Sequence, residues 1–454
     1  MDPVKLENAL EKKCENYAWL MWILFLSASP IIFNTVHLAS YTFLGRNPSF
    51  FCNIPELVEA NWTKEQIREI SNPGLKKQSC VQYAWNYSLL KDVDFNEALN
   101  YFNVQKKPDV VKCKSFIFDE EVFHQTVISE WNLVCDDNSL SLTAQGAVAM
   151  GKFGGAVTFG LLGDRFGRKK IFVFSCLLYA TSSIAAAFVN SSVMFIIFRI
   201  LIGLGGAGVL EAGYTILLEL TVKNYRACLG NMFNLGFSLG MIYLPLAAYF
   251  TNTWRELQLA ISVPMVLFVI NCWFLPESPR WLVTNGNFEK AVEIIGKEHE
   301  LDFKVTTHCP PEKSQSFLDK IVIFWNHYFE LFSTLDLTKR LLICSYAWFI
   351  GNLYYFAIAL NGSNIDVNEY LYMGLNGLIE MPGYLLPILL LKYFGRKITG
   401  ISLWLIAGVT LLATIVLPKG TEGLVDANYS VWLACTHRCT FIAAFTRNQR
   451  YSNA

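Results

Sequence analysis

Leu162-Gly-Asp-Arg-Phe-Gly-Arg-Lys-Lys170 closes a long apolar run, and Leu390-Leu-Lys-Tyr-Phe-Gly-Arg-Lys397 closes another at an offset of 228 residues. Self-similarity at a fixed offset is sought first, because a repeated unit decides the architecture. Both copies place a Phe-Gly-Arg-Lys string at the end of an apolar stretch. An apolar run long enough to cross a bilayer and stopped by cations reads as a helix leaving hydrocarbon for the cytosol. The recurrence implies two halves, each with this string after its second helix.

Outward from the motif, further apolar runs fall into place. Backbone groups in lipid must be satisfied within the segment, so such runs read as helices. They lie near 17–39, 142–162, 171–189, 193–217, 227–250, 257–275, 341–360, 371–391 and 399–417. A tenth candidate starts at Val431, but it carries His437 and Arg438 and runs into the polar tail Thr446 to Ala454. The expected class is an all-α membrane protein of two helical bundles. Composition agrees: 53% of the 454 residues are hydrophobic and 16% charged, against about 25% charged in soluble proteins. The mean hydropathy is +0.33. With zero net charge and no basic block, nucleic acid is excluded as a partner. The first run, of about 23 residues, exceeds a signal-peptide core and reads as a retained helix.

Lysines and arginines of the short loops set the orientation. Arg165, Arg168, Lys169 and Lys170 follow the second run, Lys223 and Arg226 the fourth, and Lys392, Arg396 and Lys397 the eighth. The intervening loops near Asn190, Thr251 and Asn361 hold only Arg255. This alternation predicts a multi-pass protein of the plasma membrane with its N-terminus in the cytoplasm. The sequons at Asn61, Asn86, Asn190, Asn361 and Asn428 all fall on the side so assigned to the exterior. Asn61 and Asn86 are the candidate glycan sites, because the other three sit close to the membrane. Cys52, Cys80, Cys113 and Cys135, of twelve cysteines, share the same outer stretch. Four such cysteines allow two disulfides in three connectivities, which spacing does not rank. The expected organisation is a cytoplasmic N-terminus (1–16), a first helix (17–39), a glycosylated and disulfide-bonded loop (40–141), the rest of the first bundle (142–275), a cytoplasmic linker (276–340) and the second bundle (341–454). Within the linker, Phe288 to Glu300 has the apolar spacing of a short surface helix.

Parallel halves of six helices describe the major facilitator architecture, and Gly160-Leu-Leu-Gly-Asp164-Arg-Phe-Gly-Arg168-Lys-Lys170 resembles its motif between helices two and three. The large cysteine-bearing loop and Pro276-Glu277-Ser-Pro-Arg280-Trp-Leu282 after helix six resemble the organic cation/anion/carnitine transporter family, which is solute carrier 22-like. Phe198-Arg199, Gly213-Tyr214 with Glu219, and Glu380 with Pro382-Gly383 fit the same family. The resemblance implies alternating access around a cavity between two bundles and a small organic ion as substrate; it names no co-transported ion. It covers about residues 15–417 and departs at the C-terminus, where the family has twelve spans and this chain has about nine or ten. The expectation is therefore an incomplete second bundle, with a non-transporting truncated form as the alternative to a carrier.

Individual residues carry their own readings. Trp348 and Tyr355 are seven apart on the seventh helix and share a face. Aromatic faces attract organic cations by about 0.5–2 kcal/mol each, and the resemblance adds Tyr214 to this set. Glu380 lies mid-membrane, where a carboxylate costs roughly 2.5–3.5 kcal/mol, so it should face a cavity or a partner. Pro382 and Gly383 beside it are expected to loosen the helix there. Lys152, in the middle of the second helix, would repel a cation and welcome a carboxylate. Lys152 with the acids Glu380 and Glu211 points to a carnitine- or betaine-like zwitterion, or to an anion. By resemblance, Asp164, Arg165, Arg168, Glu219, Arg226, Glu277 and Arg280 form a cytoplasmic gating network, with the acid of the motif set against a helix N-terminus.

No catalytic constellation and no phosphate-cradling loop occurs, so neither an enzyme nor an ATP-driven pump is expected. The run Gly203-Leu-Gly205-Gly206-Ala-Gly208 lies inside an apolar helix, where it would let helices approach closely. The six histidines show no metal-ligand spacing, and no cofactor is expected.

Overall fold

The computed structural model describes residues 3–46, 48–72, 78–90, 93–104, 108–118, 125–296, 332, 334–360 and 368–416. The tenth candidate span and the tail beyond it lie outside the described residues, as do the sequons Asn361 and Asn428.

The first span is a helix in three pieces, Tyr17–Ala28, Ile31–Ala39 and Tyr41–Leu44, and so reaches beyond the expected residue 39. Pro30 has no amide proton to give, so the ladder breaks there. Asn138–Phe166, Arg168–Ala185 and Ser192–Leu220 form spans two to four. Lys223–Phe233 with Leu235–Tyr249 forms the fifth and Trp254–Asn271 the sixth. The sixth starts three residues earlier than the hydropathy implies, because a capping box nucleates it: Thr253 Oγ1 accepts from the Glu256 amide and Glu256 Oε2 from the Thr253 amide, both at 3.3 Å.

Five stretches among the described residues are long and apolar enough to cross a membrane: Tyr17–Leu44, Cys135–Phe166, Ser192–Leu220, Lys223–Tyr249 and Glu369–Leu391. Arg168–Ala185 and Trp254–Asn271 fall short because their first turns carry Arg168, Lys169 and Lys170, or Arg255 and Glu256.

Leu335–Leu360 is the seventh span. The eighth and ninth were expected as separate helices, at 371–391 and 399–417, around a basic loop. They are two helices, parted within Glu369–Val416 by Gly395 at φ 72° and ψ 174°, so the expected loop is a corner of one residue. Gly167, the same position of the first motif copy, breaks the chain between spans two and three at φ 102° and ψ 146°. A side chain is strained at such positive φ, so glycine lets each half turn a corner in one residue. The expected loosening at Pro382 and Gly383 is corrected: the backbone stays helical through both. A proline there removes one hydrogen bond, which a spanning helix packed among neighbours tolerates.

Small residues let spans two and four touch through their backbones. A methyl group at Gly151 would lie 2.0 Å from the Ile200 carbonyl oxygen, and one at Gly203 would lie 2.1 Å from that of Val148. Close approach of this kind, rather than a hydrophobic drive, holds helices together in lipid. The bundles meet where span eight crosses span five, with Gly377 against the Ser238 carbonyl.

The 40–141 segment adds strands to the otherwise helical chain. β1 (Phe50–Cys52) pairs antiparallel with β4 (Phe116–Phe118), and β2 (Val81–Tyr83) with β3 (Val110–Lys112). Cys52 is bonded to Cys113 and Cys80 to Cys135, one of the three connectivities left open. A small core of Phe51, Ile54, Leu57, Ile67, Ile70 and Leu90 fills the segment, and Asn61 and Asn86 are exposed on it. It docks through Glu130, which accepts from Trp254 Nε1 at 2.6 Å and pairs with Arg255. At the opposite end, 1–16 is not a plain tail: Pro3–Cys14 is a helix that buries Leu6, Leu10 and Cys14. The surface helix expected from Phe288 is present as Phe288–Ile295, and Gly296 ends it at φ 117°.

Candidate functional site

The motif end of the first bundle carries a connected polar network. Gly167 ends span two, and the next residue, Arg168, opens span three with its side chain turned back across the corner. Its Nη2 lies 2.6 Å from Asp164 Oδ1 and 3.3 Å from Glu219 Oε1, and its Nη1 donates to the Gly163 carbonyl at 2.9 Å. Arg168 and Glu219 are largely buried, at 15% and 22% exposure, whereas Asp164 is 73% exposed. The Arg168–Glu219 bond therefore holds spans three and four, and Asp164 adds only a screened surface pair.

Glu277 ties in the chain that follows span six. Its Oε1 accepts the backbone amides of Lys169 and Ser278, each at 3.0 Å, beside the positive end of span three. Trp281 Nε1 donates to the Asp164 carbonyl at 2.8 Å. Arg226 donates from Nε to the Thr221 carbonyl and lies in electrostatic reach of Arg280, Glu7 and Glu219. Arg165 is not brought into this network: it is exposed, with its guanidinium over the Phe166 ring at 5.3 Å.

The residues read for substrate binding fall on both bundles. Glu380 is 5% exposed on span eight and accepts from Tyr384 Oη at 2.5 Å. Trp348 is half-buried on span seven, and its carbonyl accepts from Asn352 Nδ2 at 2.8 Å. The side chain of Tyr355 lies outside the described residues. Tyr214 packs on Phe233 of span five, with ring centroids 5.2 Å apart. Lys152 is half-buried on span two, and Glu211 faces that span at Gly160.

Two features escaped the sequence reading. The first is a buried basic cluster around Arg199, which is 1% exposed. Its Nε donates to the Ala144 carbonyl at 2.8 Å and its guanidinium stacks over Tyr41 at 5.1 Å. His37, also 1% exposed, lies edge-on to Tyr179 and in electrostatic reach of Arg199 and Lys152. Neither His37 nitrogen nor Arg199 Nη2 has a hydrogen-bond partner among the described residues, and a buried orphan of this kind costs about 1–3 kcal/mol. An ionisable residue inside a span is a functional candidate by default, which is the signal that could have singled out Arg199 and His37.

The second feature joins the bundles at the end opposite the motif. Arg46, after span one, pairs with Glu369 at the start of span eight at 3.5 Å. Beside this pair Phe43 stacks on Tyr370 with centroids 5.3 Å apart, and Tyr249 meets the same ring edge-on at 6.0 Å. Long-range pairs of this kind leave no local pattern in a sequence.

Two bundles with the same corner at Gly167 and Gly395, a buried carboxylate on a spanning helix and polar contacts at both ends define a multi-pass transporter of the major facilitator type. Solved structures agree on the fold. The proton:xylose symporter XylE bound to 6-bromo-6-deoxy-D-glucose aligns over 94% of this chain and 81% of its own, with a TM-score of 0.56 at 15% identity. The inward-open conformation of XylE from E. coli aligns over 93% and 80%, with a TM-score of 0.52 at 15% identity.

The family model described as "Sugar (and other) transporter" matches residues 82–447. Solute carrier family 22 member 3 of Mus musculus is 33% identical over 394 residues, spanning 84% of this chain and 71% of the relative. An "Organic cation transporter protein" of Drosophila melanogaster is 28% identical, over 89% of this chain and 74% of its own. A "Beta-alanine transporter" of the same organism is 29% identical, over 88% and 69%. The chain belongs to the sugar (and other) transporter family of the major facilitators, in its solute carrier 22 branch. It is a membrane transporter and not an enzyme.

Proposed function

We propose that this chain moves small organic ions, an organic cation or a carnitine-like zwitterion, across the plasma membrane by alternating access. The observation that carries the substrate class is Glu380, buried on a spanning helix with Tyr384 as its hydrogen-bond donor. A carboxylate is kept inside a membrane only where a cation, a partner or a cavity rewards it. Trp348 and Tyr355 on span seven, with Tyr214, supply aromatic faces for the cationic group. Lys152 takes the carboxylate of a zwitterion, and the similarity to a beta-alanine transporter supports that reading. In the proposed orientation the N-terminus and the Arg168 network face the cytosol, and the disulfide-bonded segment with Asn61 and Asn86 faces outward and carries glycans. The Arg168–Glu219–Glu277 network is the inner gate and Arg46–Glu369 the outer one.

The test is uptake of labelled tetraethylammonium, carnitine, beta-alanine and an aryl carboxylate into cells expressing this chain. Glu380→Gln should lower cation and zwitterion uptake about tenfold, or 1.4 kcal/mol, and Lys152→Gln should shift preference from zwitterion toward cation. Unchanged selectivity in both variants would remove the assignment. A second reading, an organic anion carrier, is favoured by the cations Lys152 and Arg199 in one bundle. Uptake dominated by the aryl carboxylate, and lost in Lys152→Gln, would establish it instead.

A further inference from the structure

At the motif end of the first bundle a groove of about 840 Å³ opens between spans three and six and the short helices Pro279–Thr284 and Phe288–Ile295. One wall is apolar and turned away from the bundle: Phe174, Leu177 and Trp273 are 54%, 45% and 71% exposed. On spanning helices such faces meet hydrocarbon, and a tryptophan at a span end sits at head-group level. The rim is ionic, with Lys169, Lys170 and Lys290 against Glu277 and Glu293. Two of these five are committed within the protein. Glu277 Oε1 holds two backbone amides, and Lys169 Nζ donates to the Trp273 carbonyl at 3.0 Å. Lys170 and Lys290, both exposed, dominate what the rim presents to a ligand, with Glu293 alone opposing them among the described lining residues.

We propose that this groove binds one anionic glycerophospholipid, with an acyl chain along Phe174, Leu177 and Trp273 and the phosphate at Lys170 and Lys290. The wall continues the lipid-facing surface of spans three and six, so the occupant enters sideways from the bilayer. A soluble anion or a water-soluble protein would leave that wall without its hydrocarbon contact. Basic rims on such clefts recognise charged head groups at short range. Only the leaflet, the inner one, rests on the orientation proposed above; binding itself does not.

Native mass spectrometry of the purified full chain, offered equimolar phosphatidylserine and phosphatidylcholine, tests this without reading transport. The expected result is a single phosphatidylserine adduct favoured about tenfold. Lys170→Gln/Lys290→Gln should bring the preference within about twofold, whereas Lys223→Gln, exposed at the same end but outside the groove, should leave it intact. Trp273→Ala should weaken both adducts alike. Equal binding of the two lipids by the wild-type chain, or a preference that survives the double substitution, would overturn the proposal. So would inorganic phosphate displacing the lipid, which would mark a free-anion site.

Discussion

The two copies of the Phe-Gly-Arg-Lys string share a backbone and differ in chemistry. Gly167 and Gly395 both take positive φ and turn one helix into the next within a single residue. Around Gly167, however, an acid precedes the glycine, and Arg168 spans from Asp164 to Glu219 while Glu277 caps the new helix. At the position of Asp164 the second copy has Lys392, and Tyr393 stands where the first has Arg165. Both corners thus keep the glycine that the geometry requires, while the acid that Arg168 pairs with at Asp164 has no counterpart in the second copy's sequence.

The largest difference is expected from the arginines. Arg168→Ala leaves the largely buried Glu219 without its hydrogen-bonded cation, and uptake of the preferred substrate should fall at least about fivefold, since losing one member of a partly buried pair costs about 1–3 kcal/mol. Arg396→Ala, in a copy whose sequence has Lys392 in place of the paired acid, should cost about threefold or less. Equal losses would break the comparison.

The glycines sharpen it. A methyl at Gly167 meets both a strained φ and the Glu277 carboxylate at 2.5 Å, whereas among the described residues nothing lies within 4 Å of one at Gly395. Gly167→Ala should therefore destabilise by about 2–3 kcal/mol and Gly395→Ala by about 1–2 kcal/mol, read as thermal midpoints of the purified chain. Reversal of that order would show that the corner at Gly395 is the tighter one.

Smaller effects follow from exposed charges. Arg46 and Glu369 are 30% and 19% exposed, so Arg46→Ala removes at most about 1 kcal/mol. It should raise labelling of a Trp348→Cys thiol by an impermeant reagent added outside by about threefold, within what that energy allows. Asp164→Asn should be the mildest, within about 0.5 kcal/mol of wild type in stability, because Arg168 keeps Glu219.

Much of the fold is readable from local pattern. The motif glycines mark both corners, and the Gly203 to Gly208 run marks where span four packs on spans one, two and three, because backbone conformation and close approach each demand a specific residue type. What sequence does not carry is pairing at a distance. Arg46 with Glu369, and Cys52 with Cys113 rather than Cys80, depend on which surfaces meet, which no spacing encodes. Local rules were also overridden: the backbone stays helical through Pro382, on a helix packed against span five at Gly377. The candidate site was half legible. Glu380 and Lys152 stand out as charges in apolar runs, as His37 and Arg199 could have, whereas the packing of His37 with Tyr179, Arg199 and Lys152 is visible only in three dimensions.

The central claim, a carrier that binds its solute at Glu380, is tested most directly by counterflow in proteoliposomes holding only this chain. Vesicles preloaded with unlabelled beta-alanine or carnitine should take up labelled solute transiently above equilibrium, and Glu380→Gln vesicles should show no overshoot. A flat trace from wild-type vesicles for every cation and zwitterion offered, with the protein folded and inserted, would contradict the account.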